Sequence, residues 1–263
     1  MSKIICLIVS ILLLTVSTAY CGTGALSSAA VEYKHGDVVL DGYISHNKAL
    51  SGKLPAVIIV HDWMGAGDFT KEQAQRIAEL GYVAFAADIY GKGVRPKNAE
   101  EAGKTAGIYK GNRELMRQRV KAALDYVRSL DYVDTGRIAV MGYCFGGTVA
   151  LELARSGADI AGAVSIHGGL DTPEPKASKI KAKVLVLHGA DDPYVPKEDV
   201  EAFQSEMRQG GVDWYMTAYG NAVHAFTNSK LGTDNSKGAA YNEKADKRSA
   251  TALKEFFKEI FNK

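Results

Sequence analysis

The chain has 263 residues, a net charge of +2, and 46% hydrophobic and 24% charged residues, which together describe one globular core of ordinary size and exclude a disordered or fibrous protein. Lysines and arginines are scattered without forming a basic tract, so no nucleic-acid partner is expected. Three cysteines are too few for a disulfide scaffold.

In chain order, the N-terminus reads as a targeting segment. Lys3 precedes an apolar run over residues 4–16, too short to span a membrane, followed by Ser17, Thr18 and Ala19. The pattern predicts a signal peptide over residues 1–19, with later cleavage, after Ala25 for instance, or an uncleaved anchor as alternatives, and an exported protein, periplasmic or extracellular. Beyond that export, no association with a membrane is expected. Cys21 suggests a lipid-anchored form, which Tyr20 disfavours because lipoboxes carry a small residue there. A flexible Ser/Ala-rich lead over 20–30 then precedes a single domain over 31–263.

Residues 31–33 and 38–45 alternate like antiparallel strands. Residues 55–61 are a continuous apolar run, as in a strand buried on both faces, and empty into Asp62-Trp63-Met64-Gly65. A helix over 70–80 and a buried strand over 82–88 follow. The polar, Gly-rich passage 91–111 is long enough to predict a functional loop or lid. Asn112 caps a predicted helix to about Leu130, and residues 137–141 form the next strand. Further strands are expected over 160–165, 184–188 and 212–219, a surface loop over 168–183, and helices over 197–209 and 246–262. This alternation implies an α/β fold, a mostly parallel sheet with helices on both faces. Ligands in such sheets bind beyond the carboxyl ends of the strands.

Strand 137–141 runs into Gly142-Tyr143-Cys144-Phe145-Gly146-Gly147, and Thr148 opens a helix ending near Gly157. Strand, tight turn and helix around Gly-x-Cys-x-Gly is the context of a nucleophile elbow, with cysteine at its apex. The apex residue is held in a strained conformation, so the positions two before and two after it need to lack side chains. Gly142 and Gly146 meet that need. The helix start also aims N–H groups and a positive dipole end at the sulfur.

A thiol nucleophile requires a base, and the base an orienting acid, in the chain order nucleophile, acid, histidine. The acid candidates, Asp191 and Asp192, follow the strand that ends at His188. His224 follows the last strand and is the histidine candidate. His61, His167 and His188 also follow strands but stand out of order, and read as structural histidines with satisfied hydrogen bonds; His35 and His46 read as surface residues. No pair has metal-ligand spacing, so neither metal nor cofactor is expected.

These motifs are similar to those of the dienelactone hydrolase family of α/β-hydrolases, from about Val38 to the C-terminus. The matching segments are Gly142-Tyr143-Cys144-Phe145-Gly146-Gly147, Asp192-Pro193-Tyr194-Val195-Pro196 and His224-Ala225-Phe226. The resemblance implies a Cys144–His224–Asp192 triad that cleaves a small ester or lactone through a thioester. It selects Asp192 by its offset to Val195-Pro196, with Asp191 left to the turn. It further implies oxyanion donors at the Trp63 and Phe145 amides, and a thiol-modulating acid at Asp62, where the family carries glutamate. Family arginines that grip a substrate carboxylate have Lys92, with Arg95 nearby, and Asn228 in their place, so anion recognition is expected to be weak. Two other readings stand beside this one. One is a non-catalytic binding protein that keeps the cleft; the other is a thiol redox sensor, which would need Cys21 as its resolving partner.

Overall fold

The structure, a computed structural model, describes residues 26–261. Its centre is an eight-stranded sheet in the order β1-β2-β4-β3-β5-β6-β7-β8. The strands are β1 (Leu26–His35), β2 (Val38–Asn47), β3 (Leu54–Val60), β4 (Val83–Ala87), β5 (Val133–Tyr143), β6 (Gly162–Ile166), β7 (Lys183–Gly189) and β8 (Trp214–Tyr219). From β4 to β8 every pairing is parallel, while β1 and β2 pair antiparallel with each other and β2 pairs antiparallel with β4. This is the predicted α/β-hydrolase arrangement.

The helices are α1 (Asp68–Glu79), α2 (Ala99–Gly111), α3 (Arg113–Arg128), α4 (Phe145–Arg155), α5 (Lys197–Gln209) and α6 (Glu243–Phe261). Successive residues of a strand face opposite sides, and β3 shows why its sequence is apolar throughout. Ile58 and Val60 pack under α3 and α4 with Met116, Val120, Val149 and Leu153. Val57 and Ile59 face the other way, under α1 and α6 with Ile77, Phe256 and Phe257. Each such Val or Ile contributes roughly 1.5–3 kcal/mol on burial. On the α4 side, α5 packs beyond them through Phe203 and Met207 against Val184, Val186 and Leu151.

Two expectations are corrected here. The lead predicted flexible through Ala30 is strand from Leu26 onward, paired residue for residue with β2. More than half of the predicted 91–111 loop is helix α2, capped by Asn98, whose side chain accepts from Glu101 N. The signal segment over 1–19 and Cys21 lie outside the described residues.

Strand order reverses between β3 and β5, since β3 leads to β4 on one side and β5 to β6 on the other. The crevice beyond their carboxyl ends is the natural binding position in such a sheet. Asp62-Trp63 and Cys144 are the residues that emerge there.

Candidate active site

Cys144 joins β5 to α4 with φ +54° and ψ −117°, a region that costs an ordinary residue about 1–3 kcal/mol. The glycines around it are enforced by backbone contact. A Cβ on Gly142 would lie 2.0 Å from the Gly146 carbonyl oxygen, and one on Gly146 would lie 2.4 Å from that of Val60. Cys144 N–H donates to Ile166 O at 3.0 Å, and Gly147 N–H to Cys144 O at 2.9 Å, closing the turn. The sulfur is thereby raised at the head of α4 and fixed against β3 and β6.

The loops after β7 and β8 bring two more side chains to it. They are braced to each other by Asp191 N–H, which donates to Ala222 O at 3.0 Å, and a Cβ on Gly189 would meet Ala222 O at 2.6 Å. His224 Nε2 lies 3.0 Å from Cys144 Sγ, and its Nδ1 lies 2.8 Å from Asp192 Oδ2. The other oxygen of Asp192 accepts from Tyr194 N at 2.9 Å, so the buried carboxylate has little freedom to rotate. Asp191, by contrast, is exposed. Burial opposes charge on His224, but the hydrogen bonds to Asp192 and to the sulfur outweigh it and push its pKa up to about 10. The arrangement can therefore hold a protonated imidazole against a sulfur nucleophile.

Phe145 is the first residue of α4, so its N–H has no partner within the helix. Trp63 lies half exposed at the mouth of the crevice, its carbonyl accepting from the Tyr90 hydroxyl at 3.0 Å. Asp62 is placed differently from the expectation. Its Oδ1 accepts from Met64 N at 2.8 Å, so it caps its own turn, and the sulfur is hydrogen-bonded to His224 instead. Burial pushes the Asp62 pKa up, with the Met64 N–H and nearby histidines acting against that.

The residues expected to meet a substrate anion are engaged elsewhere. Lys92 is paired with Glu32 on β1. Arg95 donates to Val94 O at 2.7 Å and lies 3.4 Å from Asp41 and 3.8 Å from Asp88. Asn228 accepts from Lys230 N at 3.0 Å and caps a short 3-10 turn. None of the three presents a free charge to the crevice.

Sequence order gave no reason to place His167 here, yet it touches the elbow. Its Nδ1 accepts from Cys144 N at 3.2 Å, its Nε2 lies 2.9 Å from Thr227 Oγ1, and its ring stands 5.2 Å from that of His224. Burial, and then the charge of His224, hold its pKa well below the ordinary value. Its φ of +41° directly after β6 reflects the same crowding under the elbow. A histidine following a strand that neighbours the elbow strand was the available signal. His188 is buried as expected of a structural residue, but its Nδ1 has no hydrogen-bond partner. His35 and His46 are half-buried, and His46 stacks on Tyr132. Among the described residues Cys144 is the free cysteine, and no group of three side chains is arranged to hold a metal ion.

The dienelactone hydrolase family model matches residues 40–261, nearly the whole described fold. The chain belongs to the dienelactone hydrolase family. One relative, Protein usf of Aquifex pyrophilus, is 29% identical over 205 residues, which cover 76% of this chain and 87% of the relative. The solved structure of m3DLH superposes with a TM-score of 0.87 at 39% identity, covering 90% of this chain and 100% of its own. A dienelactone hydrolase-like promiscuous phosphotriesterase from metagenomic libraries superposes at 0.85, also 39% identical, covering 90% and 99%. In this member of the family, the elbow, the Asp192 loop and the His224 loop all lie inside the matched region.

Proposed function

We propose that this dienelactone hydrolase family member hydrolyses a small, uncharged ester or lactone, with Cys144 as nucleophile, His224 as proton carrier and Asp192 as its orienting acid. The observation that carries the reading is the continuous hydrogen-bonded path from Sγ through both ring nitrogens to a buried carboxylate. The sulfur attacks the carbonyl carbon as thiolate, forming a C–S bond and an oxyanion that faces the Trp63 and Phe145 amides. The His224 imidazolium gives its proton to the departing alkoxide as the C–O bond breaks, leaving a thioester. Water then attacks, His224 accepts its proton, and the C–S bond breaks to release the acid and restore the thiolate.

A neutral substrate is favoured because Lys92 and Arg95 are paired with protein carboxylates and Asn228 caps a turn. A charge-assisted bidentate contact is worth about 1.5–3 kcal/mol, or roughly tenfold to a hundredfold in selectivity, and no such contact is free here. A neutral aryl ester is expected to match or exceed a dienelactone carboxylate in kcat/KM. A neutral phosphotriester belongs in the same panel, given the described activity of the 39% identical structure.

The test is alkylation and substitution of the sulfur. Iodoacetamide should modify Cys144 and abolish esterase activity in step, and Cys144→Ala should lose at least about 1,000-fold in kcat. Mass spectrometry should find the acyl group on the Cys144 peptide under rapid quench. Wild-type turnover by Cys144→Ala would sink the mechanism. A strong preference for the carboxylate that Lys92→Ala abolishes would sink the neutral-substrate reading.

A further inference from the structure

Among the buried titratable groups beside the site that the mechanism above leaves unused is His61, directly after β3. Its two ring nitrogens have unambiguous roles. Ile89 N–H donates to Nε2 at 3.1 Å, so Nε2 carries no proton and Nδ1 carries the one of the neutral ring. Nδ1–H then donates to the backbone oxygen of Asp62, 2.6 Å away. That oxygen belongs to the same peptide unit as the Trp63 N–H.

A trans peptide is planar, with its C=O and N–H pointing in opposite directions. A buried imidazole that fixes the carbonyl therefore fixes the N–H to face away from it. Accepting a hydrogen bond at oxygen also polarises the N–H of the same unit and strengthens it as a donor. The same oxygen takes a weaker bond from Gly65 N at 3.3 Å. The following carbonyl, that of Trp63, is held by the Tyr90 hydroxyl at 3.0 Å. Both carbonyls flanking the Trp63 N–H are thus held from within the protein. The His61 ring meanwhile lies nearly parallel to that of Phe145, at 5.8 Å and 16°, and meets Tyr90 edge-on at 4.6 Å. It therefore meets the peptide unit of one proposed oxyanion donor and the side chain of the residue that carries the other.

We propose that His61, with Tyr90 behind it, is a positioning residue that aims the Trp63 N–H at the oxyanion. This rests on the oxyanion reading of the preceding subsection. It makes a prediction that a merely structural histidine would not. Attack of the thiolate on iodoacetamide develops no oxyanion, whereas attack on an ester or on a trifluoromethyl ketone does.

His61→Phe keeps the ring contacts and removes both hydrogen bonds, and His61→Asn keeps an N–H near the Nδ1 position. In His61→Phe, kcat for a neutral ester should fall about 10- to 100-fold with KM nearly unchanged, less than the roughly 100- to 1,000-fold lost when an oxyanion donor is removed outright. Affinity for the trifluoromethyl ketone should fall in parallel. Alkylation of Cys144 by iodoacetamide should stay within about twofold of wild type, and His61→Asn should recover part of kcat. Tyr90→Phe, which deletes one hydroxyl, should show the same pattern at about a tenfold loss and decides the matter if His61→Phe does not fold. Wild-type kcat in folded His61→Phe, or in Tyr90→Phe where His61→Phe does not fold, would overturn the proposal. So would parallel loss of kcat and alkylation, which would place the damage at the sulfur. Retained turnover in Cys144→Ala would instead overturn the nucleophile assignment on which the proposal stands.

Discussion

His224 differs from the other buried imidazoles in the direction in which its environment shifts it. Burial lowers the pKa of His61, His167 and His188, while His224 rises to about 10 because Asp192 and the sulfur outweigh the same burial. A group raised above its ordinary value of 6.5 keeps its proton through neutral pH and loses it as pH climbs through the raised value. In the proposed mechanism acylation uses that proton for the leaving group, so its rate should hold through neutral pH and decline as pH rises through about 10. Once the sulfur is acylated, one of the groups raising the pKa is gone, and the imidazole moves toward the neutral form that the water-attack step needs. Nitrogen NMR of the resting enzyme checks this, with a His224 midpoint near 10 that falls in Cys144→Ala. A midpoint at the ordinary histidine value in the wild type would refute it.

Beneath the site, α3, α4 and α5 are clamped together by charge. Arg155, fully buried on α4, donates to both oxygens of Glu206 on α5, at 2.7 Å for the shortest contact, and to Glu152 at 3.2 Å. Glu152 in turn accepts from Arg117 on α3 at 2.9 Å. Removing one partner of a buried pair strands the others, so Arg155→Ala should cost about 3–5 kcal/mol. Thermal unfolding should show Tm lower by roughly 6–20 °C, and a drop within the scatter of surface substitutions would refute the clamp. Nothing in the sequence pointed to this cluster, because charges at helical spacing read as a solvated face. What could be read were elements with strong periodicity: the apolar strands, the elbow, and the motifs carrying Asp192 and His224 all emerge where the order of elements puts them. Helix α2 escaped because its buried residues are Ala102, Ala106 and Tyr109 among three glycines, too small to give an apolar stripe. Its capping signal was nonetheless present, with Asn98 and Glu101 bonded to each other's ends. The first half of β1 escaped for the opposite reason: Ser27 to Ala30 has no strand propensity of its own and is extended because β2 supplies the partner. The carboxylate partners of Lys92 and Arg95, Glu32 and Asp41, were unreadable in the same way, since they lie up to sixty residues away in the chain.

For the whole molecule, the described fold begins at Leu26, so the cleavage proposed after Ala19 removes none of it. The export proposed from Lys3 and the following apolar run predicts a mature protein that begins at Tyr20 outside the cytoplasm. N-terminal sequencing of fractionated cells checks this, and intact Met1 on cytoplasmic protein would refute it. Helix α6 closes one face of the sheet. The 19 residues of α6 lie across the sheet, with Phe256 and Ile260 so close over β6 that a Cβ on Gly162 would meet Ile260 at 2.6 Å. With α1, they cover the face formed by Val57, Ile59, Met141 and Val164. Fraying of α6 would therefore open part of that face to water, so the helix and the sheet beneath it are expected to lose their protection against hydrogen exchange together.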